Sequence, residues 1–161
     1  MLSTMNLKIE LLASGVPIHK TSSAIKEFES AGLDGFPALT AHLDNPVRAA
    51  QHFVSEGLAR DSNGNPIPYK PSIGTACFEL LQGQIEGVWP KGYRSYQVLN
   101  PSNIREWLAM RKDKSLQELR LECATNSLNT ARRDNNKNPS DWTRRCVKFF
   151  AENLLEIQGK D

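Results

Sequence analysis

The 161-residue sequence contains few of the side chains that most often bind metals or form disulfides. It has only three cysteines, Cys77, Cys123 and Cys146, and three histidines. A disulfide framework needs an even number of cysteines, and a zinc site typically has the spacing Cys-x-x-Cys; the three cysteines fit neither pattern. We therefore expect buried free thiols in a reducing compartment, and we expect no metal and no other cofactor.

Motifs of the common enzyme classes are also lacking. The sequence contains no His-Glu-x-x-His, no Gly-x-Ser-x-Gly and no phosphate-binding or dinucleotide-binding glycine loop. Cys77 could form a thiol–imidazole pair with His42 or His52, which is the catalytic arrangement that these residue types offer in principle. Because Cys77 lies in an apolar helical pattern, we rank an enzyme third, behind two non-catalytic functions.

Long hydrophobic runs are absent as well. The longest stretch without Asp, Glu, Lys or Arg is Ser95–Ile104, far short of the roughly 20 apolar residues that cross a membrane. Near the N-terminus, Glu10 interrupts the apolar run Ile9–Ile18, which is unlike a signal peptide. We expect a soluble, cytoplasmic protein with no membrane partner.

Amphipathic patterns predict helices along most of the chain. Ser115–Glu118 is a capping-box pattern, and three Asn-Pro pairs, at 45–46, 100–101 and 138–139, resemble helix starts. The predicted helices cover 22–31, 36–43, 45–56, 75–82, 101–112, 116–133 and 141–157.

Three segments between these helices predict extended structure. Leu7–Leu11 alternates like a short strand, residues 58–69 surround an Asn-Gly turn, and residues 85–99 turn at Pro90–Gly92. The predicted fold is therefore α+β and mostly helical, with six or seven helices and two short β-hairpins. We expect a single globular domain over 1–161, with a soft boundary near residue 100 where hairpins give way to helices.

Charge is distributed unevenly along the chain. Residues 1–90 carry six Lys/Arg and nine Asp/Glu, a net of −3, whereas residues 91–161 carry fourteen and nine, a net of +5. Together they give the overall net charge of +2. The asymmetry indicates an anionic partner for the second part.

The basic residues of that part are concentrated between Ala131 and Lys148. Arginine presents a fork of donors that suits phosphate oxygens, and nearby asparagines can also bond them. Arg144 and Arg145 are the more informative pair, because the dipole at a helix start does not favour cations. The predicted phosphate contacts are Arg132, Arg133, Lys137, Arg144, Arg145 and Lys148.

The first part of the chain has the element order of a winged helix. Three helices, at 22–31, 36–43 and 45–56, precede the hairpin at 58–69, and the third helix of such a domain enters the major groove. Arg48, Gln51 and His52 would then face bases, which arginine and glutamine can read. The net negative charge of this part opposes that interpretation.

The sequence as a whole favours a small, non-catalytic nucleic-acid-binding protein, a regulator or accessory factor whose ligand is DNA or RNA. The alternative is a protein-interaction or oligomerisation module, with a homo-oligomer or another protein as partner. Its surface would be the aromatic segment that contains Trp89, Tyr93 and Tyr96, since such rings are enriched at interfaces.

Overall fold

The computed structural model describes residues 2–50, 62–65 and 71–160. In these ranges the chain forms seven α-helices: α1 Leu2–Ile9, α2 Ile18–Ala31, α3 Phe36–Ala41, α4 Ile73–Ile85, α5 Ile104–Ala109, α6 Leu116–Lys137 and α7 Asp141–Gln158. Residues group into two compact units, Met1–Leu81 and Gln82–Asp161. The single domain expected from the sequence stays a prediction.

The core of the first unit is helical. Phe28 of α2 and Leu39 of α3 are fully buried, as is Leu12 in the 3₁₀ turn after α1. Helix α2 ends at Ala31 because Gly32 adopts a positive φ of 55° and donates its N–H back to Phe28. The predicted helices at 22–31 and 36–43 are confirmed, whereas the predicted strand at 7–11 is wrong, since α1 runs through it.

Residues 47–50 are extended, so the predicted helix at 45–56 is wrong over its described part. Their backbone bonds on one side to residues 12–14 and on the other to residues 71–73, at 2.7 to 2.8 Å. Asn45 does not cap a helix; its side chain accepts from the N–H of Val47. The remainder, 51–56, lies outside the described residues. The winged-helix interpretation therefore lacks the start of its recognition helix.

The described residues contain no β-strand, only two isolated bridges, so the predicted α+β fold is wrong. The hairpin predicted at 58–69 lies mostly outside the described residues. Its described part, 62–65, forms a turn. The hairpin predicted at 85–99 is not formed: α4 extends to Ile85, and Lys91–Tyr96 is a 3₁₀ helix. A 3₁₀ turn places Tyr93 and Tyr96 on one side, whereas a strand would point them to opposite faces.

The second unit is built around an antiparallel pair of helices, α6 and α7. Gln117 donates to the carbonyl of Ile157 at one end (2.8 Å), and Thr143 donates to the side chain of Asn135 at the other (2.9 Å). Phe150 is fully buried between them and contacts the ring of Tyr96. The last four predicted helices are confirmed as α4 to α7, with shifted ends.

A buried carboxylate fixes the segment that leads to α5. The backbone N–H groups of Val98 and Leu99 donate to Glu86, just after α4, at 2.6 and 2.8 Å. Burial raises the pKa of the Glu86 carboxyl, and these hydrogen bonds offset part of that rise.

Among the described residues, no helix combines the length and apolar character that a membrane crossing requires.

Two glycines of α4 allow a matched test of the packing in the first unit. A Cβ at Gly74 would overlap the carbonyl oxygen of Leu43, which is backbone and cannot rotate away. Among the described residues, a Cβ at Gly83 would meet only Val88, at 3.7 Å. We expect Gly74→Ala to lower the free energy of unfolding by about 2 kcal/mol or more.

The control, Gly83→Ala, should raise the free energy of unfolding by about 0.5 to 1 kcal/mol, because alanine is the better helix former. Urea titrations of both variants measure these changes. Equal midpoints for the two variants would contradict the close approach of α4 to the Leu43 carbonyl.

Candidate nucleic-acid interface

The six cations predicted to contact phosphate lie at one end of the α6–α7 pair. The helices are antiparallel and only residues 138–140 separate them, so the last turns of α6 adjoin the first turns of α7. All six side chains are exposed: Arg132, Arg133, Lys137, Arg144, Arg145 and Lys148. The structure thus brings together the residues that the sequence selected in this region.

A hydrogen-bonded network closes the turn between the two helices. Ser140 caps α7 by accepting from the N–H of Thr143 (3.1 Å) and donates its own N–H to the Thr143 hydroxyl (2.9 Å). That hydroxyl also bonds Asn135 of α6. The predicted start of α7 at residue 141 is confirmed, but its cap is Ser140 and not the Asn138-Pro139 pair, and the network fixes the direction in which α7 leaves α6.

On α7 the cations are partly neutralised by neighbouring acids. Arg144 forms an ion pair with Asp141 at 2.5 Å, and Lys148 lies 3.9 Å from Glu152. Arg145 has no such partner in the described residues. Arg144, one of the two residues ranked highest from sequence, is thus explained within its own helix: Asp141 favours the helix start and compensates the arginine.

On α6 the outward face is cationic and rich in asparagine. Thr125, Asn129, Arg132 and Asn136 follow the 4-3-4 spacing that aligns side chains along one helix face, and all four are exposed. In the described part of the chain, their side chains make no hydrogen bond or ion pair. Arg133 lies beside this stripe.

A short chain of bonds orients Arg133. Its guanidinium donates to the Thr130 hydroxyl at 3.1 Å, and that hydroxyl donates to the carbonyl of Asn126 at 3.0 Å. An open depression of about 490 Å³ on the surface of the unit is lined by Asn126, Asn129, Thr130, Arg132, Arg133 and Asn136. The sequence interpretation included the asparagines but missed Thr125 and Thr130, which the helical spacing could have revealed.

The acid within this segment does not share the outward face. Asp134 is half-buried and accepts a hydrogen bond from the hydroxyl of Tyr96, and burial followed by this bond raises the pKa of Tyr96. We call the outward surface of α6 formed by Thr125, Asn126, Asn129, Arg132, Arg133 and Asn136 the α6 outer face. It carries two arginines and no carboxylate.

The remaining predicted contacts do not join this surface. Arg48 is exposed in the extended segment of the first unit, where it bridges to Ser72. Gln51 and His52 lie outside the described residues. The base-reading set predicted for a third helix therefore gains no support.

The aromatic residues assigned to a protein interface are used inside the second unit. Tyr93 stacks on Phe149 at 4.0 Å and on Trp142 at 5.1 Å, and Trp89 meets Phe149 edge-on at 5.1 Å. Tyr96 is buried. This packing gives no support to the interaction module, and a homo-oligomer or protein partner stays a prediction.

The structure gives no support to the alternative that Cys77 is a catalytic thiol. All three cysteines are free and buried, as predicted, and burial raises the pKa of the Cys77 thiol to about 12. A neutral thiol is a poor nucleophile at physiological pH. In the described ranges no group of three or more His, Cys, Asp or Glu side chains is placed to hold a metal ion.

Comparisons with known proteins give no further indication of function. No protein-family model, no curated protein and no solved structure matches the chain. The assignment of a function to the α6–α7 pair therefore depends on the residues described above.

The turn network can be tested with two threonines that differ in their partners. Thr143→Val removes the hydroxyl that bonds Asn135 and Ser140, so we expect the free energy of unfolding to fall by about 1 to 2 kcal/mol. Thr125→Val removes a hydroxyl without such bonds and should stay within about 0.5 kcal/mol of the original protein. Chemical denaturation measures both, and equal losses would contradict the role given to the network.

The thiols should resist alkylation in the folded protein. Because burial raises the pKa of Cys77, Cys123 and Cys146, the rate of labelling by iodoacetamide should stay low and nearly flat between about pH 7 and pH 9, whereas a free thiol gains reactivity as it ionises near pH 8.5. Mass spectrometry counts the labels before and after unfolding in guanidinium. Rapid labelling of Cys77 alone in the native protein would contradict this prediction and would support a catalytic role for Cys77.

Proposed function

We propose that this protein binds nucleic acid through the cationic end of the α6–α7 pair, and that it does so without catalysing a reaction. The observation that carries the proposal is the α6 outer face, where two arginines and several asparagines are exposed and no carboxylate competes for them. Arginine and asparagine side chains are regular ligands of phosphate oxygens. Lys137 and Arg145 add charge at the same end of the pair.

The distribution of acids supports an anionic ligand at this end. Two of the three acids of α6, Glu118 and Glu122, lie near its start, and the third, Asp134, is half-buried and bonds the hydroxyl of Tyr96. Glu122 is about 15 Å along the helix axis from Arg132, beyond the roughly 10 Å screening length of a dilute salt solution. Glu122 is moreover paired with Arg111 and Lys114, each at 2.6 Å. The far acids therefore subtract little from the field at the cationic end.

The six cations are not equal in this proposal. Arg132, Lys137 and Arg145 have no ion pair with the described residues, and Arg133 bonds only a neutral hydroxyl. Arg144 and Lys148 have acids within 4 Å, so a phosphate would have to compete with them. We expect the first four to contribute more to affinity than the last two.

The test removes charge from the α6 outer face. We expect Arg132→Gln with Arg133→Gln to weaken binding of a short labelled duplex roughly tenfold at about 50 mM salt, and to make the slope of log affinity against log salt shallower by about two. Fluorescence anisotropy at several salt concentrations measures both quantities. Glutamine keeps the length and helix propensity of the side chain while removing its charge.

The matched control is Lys20→Gln with Lys26→Gln, which removes the same charge from exposed positions of α2 in the first unit. It should retain most of the affinity and of the salt slope. If the two double variants lose affinity equally, general charge and not the α6 outer face governs binding. If the unaltered protein binds neither duplex nor single strands at low salt, the proposal is wrong.

A further inference from the structure

We infer that the α6 outer face reads base edges in the major groove of duplex DNA, an inference that rests on the proposed function and specifies its ligand. Phosphate contacts need only charge, and the arginines supply that. The face also presents amides that serve no internal purpose. Asn129 and Asn136 are exposed, and neither side chain bonds another described residue.

A neighbouring asparagine shows what a structural role of this side chain looks like. The side chain of Asn135 accepts the hydrogen bond from the Thr143 hydroxyl that closes the turn. The side chains of Asn129 and Asn136 make no such hydrogen bond with the described residues. Asparagine is moreover a weak helix former, so two of them on an outward face are not explained by the stability of α6.

The geometry of the face fits the major groove. Asn129 and Asn136 are seven residues apart, so they lie about 10.5 Å apart along the helix axis, with Arg132 between them. That distance is close to three base-pair steps of about 3.4 Å. Asparagine can bond adenine through two hydrogen bonds, and arginine can do the same with guanine.

The form of the nucleic acid follows from the same surface. The major groove of B-form DNA is about 12 Å wide and admits an α-helix, whereas that of A-form RNA is too narrow. Single strands are bound by aromatic platforms on which bases stack. The α6 outer face contains no aromatic side chain, and the nearest exposed ring on α7, Trp142, is already stacked on Tyr93.

Helix α7 is not the helix that enters the groove. Its outward face carries two cations, each paired with an acid, so bases and phosphates would meet carboxylates there: Asp141, Arg144, Lys148 and Glu152. Its role is to support α6 from behind. It also places Arg145 near the end of α6, where that side chain can contact a phosphate beside the groove.

The experiment separates base reading from charge. The full chain is used to select from a pool of short DNA duplexes with a randomised centre, and affinity is then measured for a selected duplex, a scrambled duplex and the matching single strand. We expect an enriched motif. We expect Asn129→Ala with Asn136→Ala to lower the preference for the selected over the scrambled duplex by roughly tenfold, while affinity for the scrambled duplex falls by about twofold or less, because any asparagine contact with phosphate is uncharged.

Both substitutions are at exposed helical positions and exchange asparagine for the best helix former, so folding should not be impaired. A thermal melt checks this. The control is Asn6→Ala, an exposed asparagine of α1, which should keep the full preference. The charge-removing variants at Arg132 and Arg133 serve as a reference, because they should weaken both duplexes.

The outcomes distinguish the two proposals. Loss of preference in the asparagine variant with a much smaller loss of scrambled-duplex affinity supports base reading. An absence of any enriched motif, a preference that survives the asparagine substitutions, or tighter binding of the matching single strand overturns base reading while the proposed function stands. Failure to bind any nucleic acid at low salt overturns both.

Discussion

The antiparallel packing of α6 on α7 is the constraint on which the second unit and its candidate surface depend. Phe150 and Cys146 on α7 and Leu128 and Ala131 on α6 bury the facing sides. Each helix therefore has one buried and one exposed side, and the exposed side of α6 consists of polar residues. A three-residue turn, closed by the Thr143 and Ser140 hydroxyls, then brings two sets of cations to the same end.

Placing like charges together is unfavourable, and the local structure offsets the repulsion in different ways on the two helices. Arg132, Arg133 and Lys137 are near the carbonyl end of α6, where the helix dipole favours positive charge. Arg144 is near the amide end of α7, where the dipole opposes it, and Asp141 compensates. Asp134 is half-buried and is bonded to the hydroxyl of the buried Tyr96. The result is one helix face with unopposed cations beside another whose charges are balanced.

Sequence periodicity predicted the long helices because their burial repeats every three to four residues, which a single sequence displays directly. It also placed all six C-terminal cations in one exposed region, since α6 and α7 follow each other closely. It could not reveal which of them are paired, because Asp141 and Glu152 act through side-chain positions along a helix face. The same limit hid the inward orientation of Asp134, which depends on Tyr96 almost forty residues earlier.

The errors in the fold arose where distant residues decide local structure. Asn45-Pro46 resembles a helix start, but residues 47–50 find hydrogen-bond partners in segments 12–14 and 71–73, and these partners are invisible to a local pattern. Residues 93–99 resemble a strand because they contain Tyr93 and Tyr96. Their rings instead need to face α7 together, and a 3₁₀ turn provides this arrangement where alternation cannot.

The extended segment at 47–50 has a consequence for how the chain acquires its structure. Its hydrogen bonds join regions separated by more than twenty residues on one side and more than thirty on the other, so two long loops must close before they can form. Helices α6 and α7 need only a three-residue turn to meet. Rates of folding fall as contacts become more distant in sequence. The C-terminal helix pair is thus expected to assemble early, and the N-terminal unit to complete its structure later.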